Sequence, residues 1–535
     1  LALVMAKVSY HPPFKLDRVM VQVAKPDSSV NTTSHAVWVA VCLLLGIGLR
    51  LYGLDAQSLW SDEGIQYFIA SADSVWEVLQ RARQHTFHPP LSFVLNYVFL
   101  QIQDSDTLLR LPSALLGIIS LPLTYGLARQ LTSKPVALGA LFVLAISPLH
   151  IWYSQEARMY MPLFVVSVLN TLMLLQALER GKFFWWALYA CTMAVGVFLH
   201  IFMVLNGLLH LVWLLLCHRR ALLRLVATGI AAAILAAPVM LQWVEVFGRQ
   251  LNPSTSPAAE RIAVGDRIGF EWAAIPYTFY TYGAGQSLGP SIAGLHAHRG
   301  SAYLLQFLPS MVAVGLIFGV LLVLGLITLP QHGSWPAWWL CLLGLSVPIA
   351  GVALFTVVSD FSYNVRYTLI AYPYFCILVG AGCVVLAQRS RWAGALAVLA
   401  LVSLAAVSLA NYFGNPEYAK DDVREAVAWW RSVSADAPLL GCSSAGGVDK
   451  VLNRYLDPDE QKRYIWIGGN DTAERTQAVF ESQNVQAVYI LIARDWQKRR
   501  EKAIREAFEV SEESTFPGVR LMKITRKPAG PPETK

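Results

Sequence analysis

The sequence is poor in charged residues. Lysine, arginine, aspartate and glutamate make up 14% of its 535 residues, against about 25% in soluble globular domains. Hydrophobic residues make up 55%, and the mean hydropathy is +0.47. Because the apolar residues form long segments, this composition excludes an ordinary soluble protein and predicts an α-helical polytopic membrane protein.

Signals for nucleic-acid binding, zinc binding and secretion are also missing. The net charge is +7, but the basic residues stand in short clusters between apolar segments, so we expect no nucleic-acid partner. The seven cysteines show no CxxC or Cys/His spacing, which argues against a zinc site or a disulfide framework. Residues 1–34 contain no apolar core typical of a signal peptide and are predicted to be a cytoplasmic segment.

Apolar segments long enough to cross a membrane recur along most of the chain. A span needs about 20 residues, and this length predicts about eleven transmembrane helices. The predicted spans are 36–54, 108–128, 136–150, 161–178, 183–200, 202–217, 222–244, 303–329, 335–358, 367–387 and 392–412.

The distribution of lysine and arginine predicts the orientation. Basic clusters fall in alternate short loops, which marks those loops as cytoplasmic. The remaining loops, 55–107, 151–160, 245–302 and 358–366, are then external, as is the C-terminus. The basic clusters are Arg129 with Lys134, Arg180 with Lys182, Arg219 with Arg220 and Arg224, and Arg389 with Arg391.

The composition changes after the last predicted span. We predict a transmembrane module over 35–412, a small external α/β domain over 413–527 and a disordered tail over 528–535. The domain should begin with an amphipathic helix over 420–433, N-capped near Asp421. Strands are predicted at 438–442, 464–467, 487–493 and 519–524.

Polar motifs collect in the predicted external loops. The first loop carries an adjacent acid pair in SDEG and two histidines in HTFHPPL, and later loops contain SQEARMY and DFSYNVRY. The candidate site residues are Asp62, Glu63, His85, His88, Glu156, Arg158, Tyr160, Arg366 and Tyr367.

Each motif also has a purely structural interpretation. The acids could cap a helix that starts near Ser61, and HPPL could be only a turn. Arg158 and Arg366 could be interfacial residues that reach lipid headgroups. Acids, histidine and arginines at one membrane face nevertheless favour a common site.

The set suits attack by an acceptor hydroxyl on a sugar that is carried on a lipid phosphate. The hydroxyl needs a general base, for which a carboxylate such as Asp62 is suited. Arginine and histidine can hold the phosphate leaving group at the headgroup level.

Together these motifs resemble the GT-C fold membrane glycosyltransferases. The similarity covers roughly residues 36–420 and is greatest to the bacterial relatives of protein O-mannosyltransferases and of the aminoarabinose transferase that acts on lipid A. The segment GQSLGPS (285–291), followed by Leu295 and His296, also resembles a loop found in part of this group.

The resemblance implies an inverting transferase that uses a polyprenyl-phosphate-linked sugar at the external face of a bacterial inner membrane. Asp62 then resembles the catalytic base and Glu63 its partner, which orients the acceptor or supports the loop. The acceptor is a hydroxyl of a protein, lipid or glycan. His88, Arg158 and Arg366 would contact the donor phosphate, and His85, Glu156, Tyr160 and Tyr367 would line the cavity.

Two departures from related families narrow the expectation. No WWDYG-type segment is present, which argues against transfer of a preassembled oligosaccharide to asparagine, and the C-terminal domain does not resemble a β-trefoil. The resemblance implies no cofactor, although Glu63, His85 and His88 could form a divalent metal site. The alternative functions are a polytopic transporter or lipid flippase and a non-catalytic scaffold in which residues 411–535 alone bind a partner.

Overall fold

The computed structural model describes residues 32–250, 272–298, 301–359, 362–433, 437–468 and 471–527, without the side chains of residues 32, 243, 246–250 and 301. Most of the predicted N-terminal segment 1–34 lies outside the described residues. The predicted tail 528–535 and the motif residues 360 and 361 also lie outside them.

Helices make up the described part of the chain up to residue 433. Helices α1 to α11 are Thr32–Leu51, Ser61–Ala70, Val75–His85, Leu91–Leu100, Asp106–Leu131, Lys134–Ile146, Pro148–Ser154, Tyr160–Arg180, Phe183–Leu199, Met203–Cys217 and Leu222–Gln250. Helices α12 to α19 are Ala274–Ala284, Ile292–Ala297, Ser301–Leu305, Leu308–His332, Trp335–Val358, Tyr372–Arg389, Arg391–Gly414 and Val423–Val433, with 3-10 turns at Arg219–Ala221, Val365–Ala371 and Pro416–Tyr418.

The membrane helices occur where the sequence predicts spans. Eight helical segments of the described chain are long and apolar enough to cross a membrane, and the bent pair α6–α7 makes a ninth. The apolar helices α9 and α10 are shorter, but they lie at the two remaining predicted positions. The prediction of a polytopic helical membrane protein is therefore confirmed.

The third predicted span is broken rather than continuous. Helices α6 and α7 meet at an angle of 59° around Ser147. Pro148 begins α7, and the residue before a proline is biased away from the helical region; Ser147 has φ −61° and ψ 117°. The break turns the chain so that α7 leads directly into the SQEARMY motif.

The loop between the first two membrane helices folds into three short helices, α2 to α4. Asp62 and Glu63 stand in the first turn of α2, which begins at Ser61. The N-cap position is Trp60, and no side chain caps this end. Asp62 and Glu63 therefore do not cap this helix, which was the purely structural explanation of the acid pair.

The C-terminal domain is a five-stranded mixed sheet with helices. Its strands β1 to β5 are Leu439–Ser443, Tyr464–Trp466, Ala487–Ala493, Phe508–Phe516 and Val519–Arg526, and its helices α20 to α23 are Val448–Tyr455, Pro458–Gln461, Thr472–Gln483 and Arg499–Ala507. The strand order is β2-β1-β3-β5-β4. Strands β2, β1 and β3 are parallel, whereas β5 is antiparallel to β3 and β4.

Two details of this domain differ from the prediction. Strand β4 was not predicted, because its sequence FEVSEESTF is rich in polar residues; it is an edge strand, paired only with β5. The first helix begins at Val423 rather than at Lys420, and the side chain of Asp422, not Asp421, accepts a bond from the backbone N–H of Glu425. Lys420 and Asp421 precede the helix and are buried.

The soluble domain shares a hydrophobic core with the membrane module. Leu59, Ala70, Leu109 and Ala157 belong to the same buried cluster as residues of α19, α20, β1, β3 and β5. At the contact between α2 and α20, a Cβ added to Gly64 would lie 2.4 Å from a side-chain carbon of Val451. The two helices approach this closely only because Gly64 has no side chain.

Candidate active site

A large cavity lies between the membrane module and the soluble domain. Its volume is about 1450 Å³. Asp62, Glu156 and Arg366 line it on the membrane side, and Arg494 and Trp496 line it on the side of the soluble domain. The structure therefore brings three of the sequence-predicted site residues to one cavity.

The Asp62 carboxylate faces this cavity beside Arg366. Arg366 Nη1 donates to Asp62 Oδ2 at 2.8 Å, and the two side chains are 19% and 24% exposed. Arg158 Nη1 donates to the backbone oxygen of Asp62 at 3.2 Å. Burial alone would raise the pKa of Asp62, but the charges of Arg158 and Arg366 outweigh burial and hold the pKa below its ordinary value.

Buried polar atoms without partners surround this pair. Arg158 Nε, Arg366 Nε, Tyr160 Oη and His200 Nε2 have no hydrogen-bond partner among the described residues. The Arg366 guanidinium lies 5.4 Å from the centre of the Tyr160 ring, and the Tyr160 and His200 rings are 6.2 Å apart. Since buried polar groups are normally paired, these three nitrogens and the hydroxyl make the group a candidate site for an anionic ligand.

His88 lies next to His200 at the edge of the same group. The two ring centres are 5.8 Å apart. Burial, with the charges of Arg158 and His200, lowers the pKa of His88 well below its ordinary value. His88 is therefore neutral near pH 7 and can donate one hydrogen bond without adding charge.

Glu63 has a different environment from Asp62. Its side chain is fully buried, and Arg110 binds it with two bonds, from Nε at 2.9 Å and from Nη2 at 2.7 Å. The backbone N–H of Ala157 and Lys420 Nζ also donate to it, at 2.9 and 3.3 Å. Arg110 and Lys420 outweigh burial and lower the pKa of Glu63 to about 2. Glu63 thus joins α2, α5, the SQEARMY loop and the start of the soluble domain, and it is not a lining residue of the cavity.

Glu156 is a lining residue of the cavity, and its side chain is buried. Trp152 Nε1 donates to Oε2 at 3.1 Å, while the buried Oε1 has no partner in the described part of the chain. Burial raises the pKa of Glu156 above its ordinary value.

Three predicted cavity residues, His85, Tyr160 and Tyr367, do not line the large cavity, although Tyr160 lies beside Arg366. His85 is an exposed residue at the end of α3, where its ring packs edge-on against Phe68 with ring centres 5.1 Å apart. Tyr367 does not line the large cavity but packs between His200 and Phe202 in a small apolar pocket. Both residues stand next to site residues in the sequence motifs. A motif does not show, however, that α3 ends at His85 or that the Tyr367 ring turns toward His200 and Phe202.

The alternative metal site of Glu63, His85 and His88 is not assembled. Glu63 is fully bound to Arg110, Lys420 and Ala157, and His85 lies against Phe68. Within the described ranges, no group of three or more histidine, cysteine, aspartate or glutamate side chains could hold a metal ion.

Several residues of the site are not evident from the sequence. His200 ends an apolar helix, Lys420 was assigned to an amphipathic helix, and Arg494 lies in a loop of the soluble domain. None belongs to a motif that marks chemistry. For His200 the one available signal is an ionisable residue at the end of a predicted span.

Comparisons with known proteins bear on the family and the fold of the chain. Residues 87–243, which include His88 and Arg158, match the family model of dolichyl-phosphate-mannose-protein mannosyltransferases. ArnT from Cupriavidus metallidurans bound to undecaprenyl phosphate is 16% identical, with a TM-score of 0.54 over 92% of this chain and 98% of that one. The chain has the GT-C fold.

A second solved structure has the same fold. The oligosaccharyltransferase AglB from Archaeoglobus fulgidus, in complex with an inhibitory peptide and a dolichol-phosphate, is 12% identical. Its TM-score is 0.53 over 94% of this chain and 75% of that one. No curated protein sequence matches the chain. The GT-C resemblance of the motifs is thus confirmed at the level of the fold.

Proposed function

We propose that the protein is an inverting glycosyltransferase that moves a single hexose or pentose from a polyprenyl-phosphate donor to an acceptor hydroxyl. The acceptor belongs to a protein, a lipid or a glycan. The reaction takes place at the external face of a bacterial inner membrane. The matched family model, and the lipid phosphates bound to the two structurally similar proteins, support a lipid-linked donor.

One observation carries the proposal. The carboxylate of Asp62 faces a cavity beside Arg366, and nearby Arg158, Tyr160 and His200 have buried polar atoms that no other described residue binds. A base and an adjacent anion site are the two parts that sugar transfer from a lipid phosphate requires.

The proposed reaction is a single displacement. The acceptor oxygen attacks the anomeric carbon, its proton passes to Asp62, and the bond between this carbon and the phosphate oxygen breaks. The released polyprenyl phosphate is stabilised by the guanidinium groups of Arg158 and Arg366. Attack opposite the phosphate inverts the configuration. The step as written uses no metal ion, because the two arginines supply the positive charge.

The ion pair between Asp62 and Arg366 links donor binding to the strength of the base. A donor phosphate that engages Arg366 competes with Asp62 for the same guanidinium. The pKa of Asp62 then rises toward its ordinary value, so the carboxylate becomes a better base when the donor is in place.

A transporter or flippase has less support. Transporters bind substrates near the membrane midplane on broken helices, and α6–α7 is such a helix. However, the carbonyl groups freed at this break are already bound by Arg50 Nη1 and Nη2, which donate to Ala145 at 3.1 Å and to Leu144 at 2.9 Å. The cavity itself lies at one end of the membrane helices, beside the soluble domain.

The test compares Asp62→Asn with Glu63→Gln in purified full-length protein. Release of polyprenyl phosphate from a panel of polyprenyl-phosphate sugars is measured together with thermal unfolding. We expect Asp62→Asn to lose at least about 100-fold in turnover, within the range for a general base, with a smaller fall in unfolding temperature than Glu63→Gln, because Asp62 and Arg366 are partly exposed. Glu63→Gln should instead destabilise the fold by about 3–5 kcal/mol, because it leaves Arg110 buried without its partner charge.

The opposite pattern would reject the assignment. Retained turnover in Asp62→Asn excludes this carboxylate as the base. No release by the wild type across the panel, with uptake or flipping in vesicles, favours the transporter.

A further inference from the structure

Asp62 needs support other than Arg366 when the donor is bound. Among the described residues, Arg366 is the one side chain that hydrogen-bonds the carboxylate of Asp62. In the proposed reaction this guanidinium binds the donor phosphate, so the backbone must then keep the orientation of Asp62. That backbone is the first turn of α2, which begins at Ser61 and has no side-chain cap. Contacts to the residues just before α2 therefore determine where the carboxylate points.

The chain that leads into α2 is held by residues that follow the last membrane helix. The backbone N–H of Lys420 donates to Gln57 Oε1 at 3.1 Å. The backbone N–H of Leu59 donates to Tyr455 Oη of the soluble domain at 2.8 Å, and Leu59 is buried in the core that both parts of the molecule share. These contacts fix the chain as far as Leu59, and Trp60 is the next residue before the helix.

Arg494 contacts the ring of Trp60 from the outer wall of the cavity, which the soluble domain forms. Its guanidinium carbon lies 4.9 Å from the ring centre, a distance at which a cation is attracted to the face of an aromatic ring. Trp60, Asp62 and Arg494 all line the cavity. The contact is thus made inside the cavity, two residues before Asp62.

Arg494 can hold the ring because it is itself fixed. Its Nε donates to Asp421 Oδ2 at 2.6 Å, and the two side chains are 15% and 5% exposed. Its backbone N–H donates to Gly518 O at 2.9 Å, and its φ of +54° is uncommon for a residue other than glycine. A Cβ added to Gly518 would overlap Oδ1 of the same aspartate. Backbone and side chain of Arg494 are therefore both restrained, unlike those of a solvated loop residue.

The ion pair with Asp421 limits a purely electrostatic role for Arg494. Burial raises the pKa of Asp62, whereas the charges of Arg158 and Arg366 lower it. The charge of Arg494 lowers this pKa too, but less than either of them. Because the Asp421 carboxylate lies next to the Arg494 guanidinium and opposes its charge, the effect of Arg494 on Asp62 is mainly one of position.

We propose that Arg494 is a positioning residue for the transfer reaction, which holds the first turn of α2 through the ring of Trp60. Asp62 thereby stays directed into the cavity when the donor phosphate engages Arg366. The proposal rests on the proposed function, since it gives support to a base whose partner is taken by the donor. Arg494 acts through Trp60, so its loss should lower kcat and leave donor binding unchanged.

The experiment measures the release of polyprenyl phosphate by the purified full chain, with water as the acceptor and at varied donor concentration. Water attacks the anomeric carbon, its proton passes to Asp62, and the bond to the phosphate oxygen breaks. Binding of a sugar or protein acceptor therefore does not enter the rate. We expect Arg494→Gln to lower kcat by about 10- to 100-fold, as a displacement of about 1 Å can do. The donor KM should stay the same, because the loss falls on the transition state alone.

A second variant separates the contact from the stability of the loop. Trp60→Leu leaves the pair of Arg494 and Asp421 intact and removes the ring that Arg494 contacts. It should lower kcat about as much as Arg494→Gln does. In the double variant Trp60→Leu/Arg494→Gln the two losses should not add, because both changes remove the same contact.

Arg475→Gln is the matched control. Arg475 is an exposed arginine of α22 outside the cavity lining, and it undergoes the same change. We expect its kcat to equal that of the wild type. The unfolding temperature is measured for each variant, and all values of kcat are compared at a temperature at which every variant is folded.

Three results would overturn the proposal. These are an unchanged kcat in Trp60→Leu, additive losses in the double variant, and an equal loss in Arg475→Gln. The first of them applies even if Arg494→Gln fails to fold. Absence of release by the wild type, or retained release in Asp62→Asn, overturns the proposed function and the role of Arg494 with it. Release that is lost in Asp62→Asn but kept in Trp60→Leu overturns the role of Arg494 alone.

Discussion

Asp62 and Glu63 are adjacent in the sequence but have different roles in the structure. Successive residues of a helix point about 100° apart, so one turn of α2 directs Asp62 to the cavity and Glu63 into the protein. Asp62 is 24% exposed and meets Arg366, whereas Glu63 is 0% exposed and binds Arg110 and Lys420. The proposed chemistry therefore involves Asp62, whereas Glu63 holds parts of the fold together.

Replacing Arg366 should change the pH dependence of transfer. The active form of Asp62 is ionised, and its pKa lies below the ordinary value of 3.8 partly because of Arg366. Activity is therefore retained on acidification and is lost only as the pH falls through this depressed pKa. Arg366→Gln removes a lowering charge, so the acid limb of kcat/KM should move to higher pH.

The measurement is kcat/KM against pH for wild type and Arg366→Gln. The overall rate should also fall, because Arg366 is proposed to bind the phosphate, but only the position of the limb reports on Asp62. An acid limb at the same pH in both proteins contradicts the proposed coupling. Arg220→Gln, at an exposed arginine far along the chain in the loop before α11, is a control.

At the scale of elements, the break between α6 and α7 positions the SQEARMY loop. Arg50, at the end of α1, is fully buried and donates to Leu144 O, Ala145 O and His150 Nδ1. In return, Gln155 Nε2 donates to the backbone oxygen of Tyr52 at 2.6 Å. Arg50 thus satisfies the carbonyl groups at the break, and Gln155 satisfies a carbonyl group at the end of α1.

Arg50→Met should loosen this junction. It removes the donors to the Leu144 and Ala145 carbonyl groups, and each buried unpaired group costs about 1–3 kcal/mol. We expect a lower unfolding temperature in detergent and a lower kcat, because Glu156 and Arg158 follow the break directly.

Arg220→Met serves as the control, since Arg220 is exposed. Normal stability in Arg50→Met would show that the carbonyl groups at the break do not need the arginine. An equal loss in Arg220→Met would show that the effect is not specific to the break.

At the scale of the whole molecule, the soluble domain is part of the membrane module's structure. A common hydrophobic core joins α2, α4 and α5 to α19, α20 and the sheet. Arg454 and Tyr455 of α20 also bind Asp106 at the start of α5, at 3.3 and 2.6 Å. The alternative in which residues 411–535 bind a partner by themselves is therefore less consistent with the structure. The soluble domain is instead packed on the membrane module and closes the candidate active-site cavity.

Gly64→Leu should weaken the docking of the soluble domain. A side chain at this position would overlap Val451 and the backbone oxygen of Gly447, which a Cβ would approach to 2.8 Å. We expect a loss of at least about 1–3 kcal/mol in stability from overpacking and slower transfer, because the cavity loses its outer wall.

Gly48→Leu is the matched control. Gly48 is an exposed residue of α1, and nothing lies within 4 Å of a Cβ added there. The unfolding temperature and the release of polyprenyl phosphate are measured for both variants. Unchanged values in Gly64→Leu would contradict a tightly docked domain.

Apolar segment length was sufficient to predict the membrane helices, because the backbone in a membrane must satisfy its hydrogen bonds within each helix. The ordered motifs SDEG, HPPL and SQEARMY were likewise sufficient to indicate the GT-C fold. Together with DFSYNVRY, they also indicated that Asp62, Arg158 and Arg366 lie near one another, since the loops that carry these residues were predicted at the same face.

Only the tertiary structure distinguished the roles of individual side chains. Whether a carboxylate faces a cavity or a buried arginine depends on contacts between residues far apart in the chain, such as Glu63 with Lys420. The same holds for His200. Its Nε2, which no described residue binds, points to the candidate site only because the ring lies next to Tyr160. Strand β4 and the place of Arg494 in the cavity lining were missed, because an edge strand and a polar loop look like solvated segments until their partners are known.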